Sequence, residues 1–311
     1  MRKSMVDLML VAVVVIWGAN YTIGKFGMQS LSPDVFTLVR FLLVIPVLLI
    51  MVKWADGSLA IRKKDIPAFM IAAMIGITLY QTLFVASLKY TTATNASLLV
   101  AMSPLFTVVI AVLRKRERLT PMLLTGSLFA VLGVILVKGM GESGFDFSLS
   151  SLKGDLIAGI ASFLFGVYPY ATAPLSKSYS AVKITLYTAL FGALFLFLYS
   201  GLDLLEVDWG NLPAAAWWSL LYSVLPVTAY SLAAWNYGIE VLGPARAMPY
   251  MYLVPVTAIL VAMVWIGETM NGWQWMGAVM ILGGVFLVRQ GGLLWERMRL
   301  AKMKNDPSRL G

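Results

Sequence analysis

Residues 104–137 read PLFTVVIAVLRKRERLTPMLLTGSLFAVLGVILV, and residues 255–288 read PVTAILVAMVWIGETMNGWQWMGAVMILGGVFLV. Shifting the chain by 151 positions lays the first stretch on the second without a gap. Identical residues then coincide at several positions, among them Pro104 with Pro255, Glu117 with Glu268, Gly126 with Gly277, and Gly133 with Gly284. Because a proline, a glutamate and two glycines share one register, the match indicates an internal duplication.

The duplication reaches towards the start of each half at a slightly different shift. Three further identities appear when the chain is shifted by 148 positions: Asp7 with Asp155, Leu8 with Leu156, and Gly18 with Gly166. We therefore divide the chain into a first repeat (1–140), a second repeat (150–290) and a basic tail (291–311).

The composition assigns both repeats to a membrane. Of the 311 residues, 60% are hydrophobic and only 13% are charged, whereas soluble domains carry roughly 45–50% and about 25%. This balance excludes a soluble enzyme, a disordered chain and a coiled coil, and it predicts a polytopic membrane protein. The sequence has no Cys and no His. Disulfides, zinc sites, Cys or His nucleophiles and His proton relays are thereby excluded, and we expect neither a metal ion nor a cofactor.

Each repeat contains five apolar stretches of the roughly 20 residues that a helix needs to cross a bilayer. The ten stretches are 5–27, 33–53, 65–88, 93–113, 120–139, 152–173, 180–200, 213–236, 245–266 and 272–290. Since backbone polar groups cannot stay open in lipid, we predict an all-α polytopic bundle of ten transmembrane helices. Five is an odd number, so the second repeat must enter the membrane from the opposite side. The sequence therefore predicts two inverted five-helix repeats.

The distribution of positive charge predicts the orientation. Of the 24 Lys and Arg residues, 19 fall on the side that holds both termini, four fall on the other side, and Arg40 lies inside a span. Positive loops stay in the cytoplasm, so we expect a multi-pass protein of the cell membrane with cytoplasmic N- and C-termini. The net charge of +9 is then a matter of orientation and requires no nucleic-acid partner. The basic tail either lies on the anionic lipid of the inner leaflet or extends as a solvated segment.

Inverted repeats are typical of transporters whose binding site lies near the bilayer midplane, between the halves. We therefore expect a secondary transporter that moves a small-molecule substrate by alternating access, as a monomer or a homodimer. A channel-like facilitator and a non-transporting receptor or scaffold are the alternatives. Without His, Cys or an acid pair inside a span, an enzyme is not expected. Because the carboxylates fall in loops or near span ends, proton coupling would need Glu240, Glu268, Asp155 or titration of the substrate itself.

Three segments resemble the drug/metabolite transporter superfamily, EamA type. They are WGANYTIGKFGMQSLSPDVFTLVRF (17–41), KYTTATNASLLVAMSPLFTVVIAVLRKRERL (89–119), and the stretch from LGPARAMPYMYL onwards (242–288). The resemblance implies ten helices, two EamA repeats and the movement of small metabolites, commonly their export, without fixing a substrate. The sequence FGVYPY (165–170) departs from the family pattern, since it keeps Gly166 but lacks the Trp and Asn that the first repeat has.

Polar and aromatic residues inside the spans are the expected substrate-binding residues, because a polar group in mid-membrane must bond to another helix or face a cavity. They are Asn20, Tyr21, Tyr80, Gln81, Ser103, Tyr168, Tyr230 and Tyr250. The aromatic ones suit amino acids or similar amphiphilic and aromatic solutes. Helix packing and the interfacial aromatic belt remain alternative roles for these side chains.

Four residues are expected to act in gating: Lys25, Arg40, Asn95 and Arg246. Arg40 is the sharpest signal, because a charge about seven residues into an apolar helix costs at least ~2.5 kcal/mol unless it finds a partner. It could anchor a substrate carboxylate, serve as a gate charge, cap helix carbonyls, or pair with Asp34 or Glu268. Since proline frees a backbone carbonyl and kinks a helix, three prolines are the expected hinges: Pro104, Pro169 and Pro255.

Overall fold

The computed structural model describes residues 3–87, 89–91, 99–114, 120–140, 149–266 and 271–305. Within these ranges the regular structure is helical throughout and contains no strand. We number the helices in chain order: α1 (Lys3–Met28), α2 (Pro33–Asp56), α3 (Ile66–Ala73, Met74–Leu79 and Tyr80–Ser87), α4 (Leu99–Leu113), α5 (Pro121–Gly139), α6 (Leu149–Thr172), α7 (Ala181–Ser200), α8 (Ala214–Tyr222, Ser223–Tyr230 and Ser231–Leu242), α9 (Pro244–Ala247, Met248–Leu253 and Val254–Ile266) and α10 (Gly272–Asn305).

Most of these helices are apolar enough to cross a bilayer. Six meet both the length and the hydropathy of a span: Ser4–Met28, Pro33–Asp56, Lys63–Ser87, Leu152–Lys177, Ala181–Ser200 and Pro244–Trp265. Three shorter apolar helices accompany them: Leu99–Leu113, Pro121–Leu136 and Gly272–Val288. With α8 as the tenth, the helices of the described chain correspond one to one to the predicted stretches. The predicted all-α polytopic membrane fold is confirmed.

Equivalent serines start the second helix of each half. Ser32 accepts a hydrogen bond from the backbone N–H of Val35 (3.3 Å), and Ser180 accepts one from that of Lys183 (3.2 Å). Both serines satisfy donors that the first turn of a helix leaves open. Their numbers differ by 148, the shift found in the sequence, so α2 and α7 begin at the same point of the two repeats.

Helix packing relates the two halves by an approximate two-fold exchange. Two extensive interhelical contacts, between α5 and α10 and between α2 and α7, each join a helix to its own equivalent. The contact of α1 with α9 corresponds to that of α6 with α4, and the contact of α1 with α8 corresponds to that of α6 with α3. The same interfaces therefore occur twice, with the halves interchanged.

Glycines at the α5–α10 contact give the direction of this two-fold axis. A Cβ on Gly126 would lie 2.7 Å from the carbonyl oxygen of Gly284, and a Cβ on Gly133 would lie 2.6 Å from that of Gly277. The two contacts are exchanged by the 151-residue shift, and they make α5 and α10 antiparallel. A two-fold axis that exchanges antiparallel neighbours is perpendicular to both helices. It therefore lies in the plane of the membrane, as inverted repeats require.

A second pair of glycines obeys the same relation. Gly18 of α1 packs against the side chain of Thr257 and the backbone of α9, and a Cβ there would lie 2.7 Å from the N of Ala258. Gly166 of α6 packs on α4, where a Cβ would lie 2.9 Å from the Cβ of Phe106. The glycines differ by 148 positions and their partners, Thr257 and Phe106, by 151. Both sequence shifts are thus reproduced in space.

The irregular parts of the helices also occur in equivalent places. α3 contains a π-helical stretch at Met74–Leu79, and α8 contains one at Ser223–Tyr230. α9 contains a 3-10 stretch, Met248–Leu253, after its first turn, and its equivalent α4 is interrupted by a turn at Met102. Such stretches in transmembrane helices occur where backbone groups meet neighbouring helices or a cavity.

The basic tail continues the last helix. α10 runs without a break to Asn305, so the backbone of residues 291–305 is helical and continuous with the span before it.

Candidate functional site

A narrow cleft lies between α4 and α9, beside the turn in α4 and the 3-10 stretch in α9. It has an empty volume of about 320 Å³ including its open mouth, and it is lined by Tyr21, Val100, Ala101, Met251, Val254, Pro255 and Ala258. Val100 of α4 and Met251 of α9 are equivalent, since their numbers differ by 151. The cleft therefore lies on the pseudo-two-fold axis, with α1 supplying Tyr21.

Tyr21 connects the cleft to a polar group behind it. Tyr21 keeps 41% of its surface open. Tyr80 of α3 lies within electrostatic range of both Tyr21 and Arg40. The Tyr80 ring stacks on that of Phe165 in α6, with ring centroids 4.6 Å apart. Tyr21, Tyr80 and Arg40, which lie on α1, α3 and α2, thus influence one another electrostatically, and we call these three residues the polar triad.

Arg40 is a buried cation. Only 8% of its surface is exposed, and its Nε has no hydrogen-bond partner. The guanidinium carbon lies 4.9 Å from the centroid of the Phe41 ring. A desolvated cation over an aromatic face is stabilised by about 2 kcal/mol. Taking the ion out of water costs several kcal/mol, so the Phe41 ring offsets only part of the cost of burying Arg40.

The predicted partners of Arg40 do not hold it in the described part of the chain. The ion pairs there join Arg62 to Asp65 and Lys183 to Asp56, and neither involves Arg40. Asp34 lies within electrostatic range of Lys89 and Asp203 instead. The suggested pairing with Asp34 was therefore wrong, as was the capping of helix carbonyls, for which the structure records no hydrogen bond. Glu268 lies outside the described residues.

Asn20 is bound to another helix. Its Oδ1 accepts a hydrogen bond from the Ser223 hydroxyl (2.9 Å), at the start of the π-helical stretch of α8. Three residues earlier, the Trp17 indole N–H donates to the carbonyl of Val227 in the same stretch (3.2 Å). α1 and α8 are thus tied together beside the cleft, and Asn20 remains half-buried next to it.

Tyr168 belongs to the packed interior and not to the cleft. It is 1% exposed, and its hydroxyl donates to Asn236 Oδ1 (3.2 Å), whose Nδ2 donates to Thr185 (2.9 Å). This chain of hydrogen bonds joins α6, α8 and α7. Gly76, in the π-helical stretch of α3, packs against the ring of Tyr168. Tyr168 is the equivalent of Asn20, so both residues contact a π-helical stretch of the other half.

The remaining predicted substrate-binding residues are not assembled around the cleft. Tyr250 is 4% exposed and donates a hydrogen bond to Asp7 (2.6 Å), whereas Tyr230 is 44% exposed. Ser103 is fully buried, and its hydroxyl has no hydrogen-bond partner. Gln81 is half-buried beside Tyr80. The structure therefore brings two of the eight residues, Tyr21 and Tyr80, into the polar triad.

The predicted gating and hinge residues are only partly visible. Asn95 lies outside the described residues, and of Lys25 only the backbone, in α1, is described. Arg246 is half-buried at the start of α9. Pro104 and Pro255 stand at equivalent places, directly after the turn in α4 and the 3-10 stretch in α9, whereas Pro169 lies inside α6. Pro255 also lines the cleft.

Sequence reasoning missed two features of this region. The cleft is lined mainly by apolar side chains, which nothing in the sequence separates from ordinary core residues. Asp7 was also passed over, because it lies near a predicted span end. In the structure it is 9% exposed and bonded to Tyr250 of α9. The alignment of Asp7 with Asp155 at the 148-residue shift was the sequence feature that could have identified it. In the described residues no group of three or more Asp and Glu side chains could hold a metal ion.

Comparisons with known proteins give one consistent result. The EamA-like transporter family matches residues 4–139 and again residues 152–290. Three proteins of similar sequence are named here. "Uncharacterized transporter YyaM" of Bacillus subtilis is 26% identical, covering 92% of this chain and 93% of its own. "Probable terminal-alkyne amino-acid exporter" of Streptantibioticus cattleyicolor is 29% identical (93% and 95%), and "Probable amino-acid metabolite efflux pump" of Salmonella typhimurium is 25% identical (88% and 91%).

A solved structure supports the fold. One crystal structure of a protein superposes on this chain with a TM-score of 0.78 at 19% sequence identity, covering 95% of this chain and 99% of its own. At that identity the likeness concerns the arrangement of helices alone.

Proposed function

Since this chain belongs to the EamA-like transporter family, we propose that it is a secondary transporter that exports small metabolites by alternating access of two inverted halves. Membership makes it a multi-pass membrane transporter. The direction of transport, the mechanism and the substrate are the proposed part. The observation that carries the proposal is the cleft on the pseudo-two-fold axis, between the interrupted helices α4 and α9.

The position of the cleft supports alternating access. In a protein with inverted repeats, each half can take the conformation of the other, which turns an opening on one side into an opening on the other. A site on the axis keeps the same environment during this exchange. The boundaries 1–140 and 150–290 are the proposed limits of the exchanging units, and Pro104 and Pro255 are the proposed hinges.

We propose amino acids or similar amphiphilic solutes as substrates, because two of the similar proteins are named for amino-acid export. The polar triad and the apolar lining of the cleft suit a solute with one polar and one apolar end. Asn20 and Ser223 would hold α1 and α8 in place beside it. The solute would leave chemically unchanged. We also propose that the protein lies in the cell membrane, with both termini in the cytoplasm.

Flux across reconstituted vesicles tests this function against the channel-like alternative. Purified chain in proteoliposomes is loaded with one of several unlabelled amino acids, and uptake of the same labelled amino acid is measured. A transporter that alternates should show faster uptake when unlabelled solute is present on the far side. Flux that does not respond to solute on the far side would identify a channel. The proposed substrate class would be refuted if, for every amino acid tried, uptake into vesicles with the protein equalled uptake into protein-free vesicles.

A further inference from the structure

Two of the described lysine and arginine side chains are buried to the same degree, and only one of them is paired with a carboxylate. Arg40 in α2 and Lys183 in α7 are each 8% exposed. The Lys183 ammonium lies 3.3 Å from the carboxylate of Asp56, which also accepts a hydrogen bond from Ser180 (2.6 Å). Arg40 has no carboxylate partner in the described chain, and its Nε is unbonded. Arg40 therefore holds a positive charge that these residues leave unneutralised.

The second half fills the equivalent position without a charge. The position equivalent to Arg40 in α7, at the 148-residue shift, is Thr188. Thr188 is fully buried, and its hydroxyl bonds to the carbonyl of Ile184 in its own helix (2.8 Å). The second half thus fills the equivalent place with a neutral side chain, whose hydroxyl is hydrogen-bonded within its own helix. A cation therefore occurs at this position in only one half, and we look for a role of Arg40 that needs only one.

The surroundings of Arg40 define what it could bind. Tyr80 lies within electrostatic range of Arg40 and packs against the apolar cluster that contains Ala101 and Met251. Both of these residues line the cleft, together with Tyr21 and Val100. A guanidinium presents parallel N–H donors that match the two oxygens of a carboxylate. A single arginine matches a single negative charge, and tyrosine hydroxyls can donate to the same oxygens.

We propose that Arg40 is the anchor for a carboxylate group of the transported solute, with the polar triad around that group and the solute's apolar part in the cleft. The inference rests on the proposed transport function and narrows its substrates to carboxylates. The Phe41 ring faces the charge. Binding of the solute supplies a counter-ion, which the described residues do not provide.

Ligand-dependent thermal stability of the purified full chain tests the anchor without any flux measurement, because a compound that binds the native state raises its melting temperature. The probes are acetate, benzoate, L-leucine and L-phenylalanine, each compared with its amide. At least one carboxylate should stabilise the wild type more than its amide does. In Arg40→Met that difference should disappear, with affinity lower by about tenfold or more, and in Arg40→Lys part of it should remain.

Lys183→Met provides the matched control. It should keep the carboxylate-dependent shift, but its melting temperature without ligand should fall, because Asp56 loses its counter-ion. Arg40→Met should melt no lower than the wild type without ligand, since an unpaired charge is removed. The proposal is overturned if no carboxylate exceeds its amide, if Arg40→Met keeps the difference, or if Arg40→Met unfolds as Lys183→Met does. Carboxylate binding through Arg40 without flux in vesicles would instead refute the transport function and leave the anchor intact.

Discussion

The hydrogen bond between Tyr250 and Asp7 shows how much can depend on a single side chain. The two residues are 243 positions apart, and their bond joins the first helix of one half to the fourth helix of the other. Both are at least nine-tenths buried. A buried polar oxygen that loses its hydrogen-bond donor raises the free energy of the folded state.

We expect Tyr250→Phe to lower the free energy of unfolding by about 1–3 kcal/mol, because the buried carboxylate of Asp7 loses a donor that water cannot replace. Unfolding of the purified protein by a denaturing detergent would measure the loss. Tyr199→Phe is the control, since Tyr199 is 61% exposed and loses the same oxygen atom. Equal stability of the two variants would show that the bond to Asp7 contributes nothing.

Single residues are also where the sequence was least informative about the site. Asn20, Tyr21, Tyr80 and Tyr168 are alike as polar groups inside apolar spans. Tyr21 lines the cleft, whereas Asn20 bonds to Ser223, 203 residues away, and Tyr168 to Asn236. Which of these outcomes applies depends on the neighbouring helix, and hydropathy along one helix contains no information about that neighbour. Arg40 could be found in advance, because a buried charge is conspicuous whatever its neighbours are.

At the scale of helices, the repeat was strongly predictive. The register that aligned Gly126 with Gly277 and Gly133 with Gly284 is the register in which α5 and α10 pack, so spacing alone located an interface. The π-helical stretches of α3 and α8 could not be predicted. MIGITL and SVLPVTAY share no residue pattern that distinguishes them from ordinary helix. Their contacts with other helices, such as the hydrogen bond from the Trp17 indole N–H to the Val227 carbonyl (3.2 Å), cannot be read from either segment alone.

The α5–α10 interface yields a prediction with its control in the adjacent residue. A Cβ on Gly284 would lie 2.5 Å from the carbonyl oxygen of Gly126, whereas a Cβ on Gly283 would have no atom within 4 Å. Gly284→Ala should therefore force the helices apart and destabilise the protein by about 1–3 kcal/mol. Gly283→Ala should be neutral or should stabilise by up to ~1 kcal/mol, because alanine is the better helix former.

Detergent-induced unfolding of both variants measures this difference. Both substitutions add the same methyl group to the same turn of α10, so effects of hydrophobicity and helix propensity cancel in the comparison. If the two variants were equally stable, close packing of α5 on α10 would not hold the halves together.

For the whole molecule, the inverted relation of the halves makes a prediction that no single helix makes. Gln29 follows α1, and the residue at its equivalent position, 148 places on, is Lys177, which follows α6; both are exposed. If the two-fold axis lies in the membrane plane, equivalent loops must emerge on opposite sides. A parallel duplication would place both on the same side.

Cysteine labelling can decide between these arrangements without background, since the chain contains no Cys of its own. In intact cells, a membrane-impermeant maleimide should label Gln29→Cys. It should reach Lys177→Cys only after the membrane is permeabilised, because the excess of Lys and Arg predicts that this loop faces the cytoplasm. Labelling of both variants from outside would mean that the halves are not inverted, and the cleft between α4 and α9 could not then alternate by exchange of their conformations. Labelling with the two sides reversed would keep the inverted repeat and overturn only the orientation, so that export would have to be argued anew.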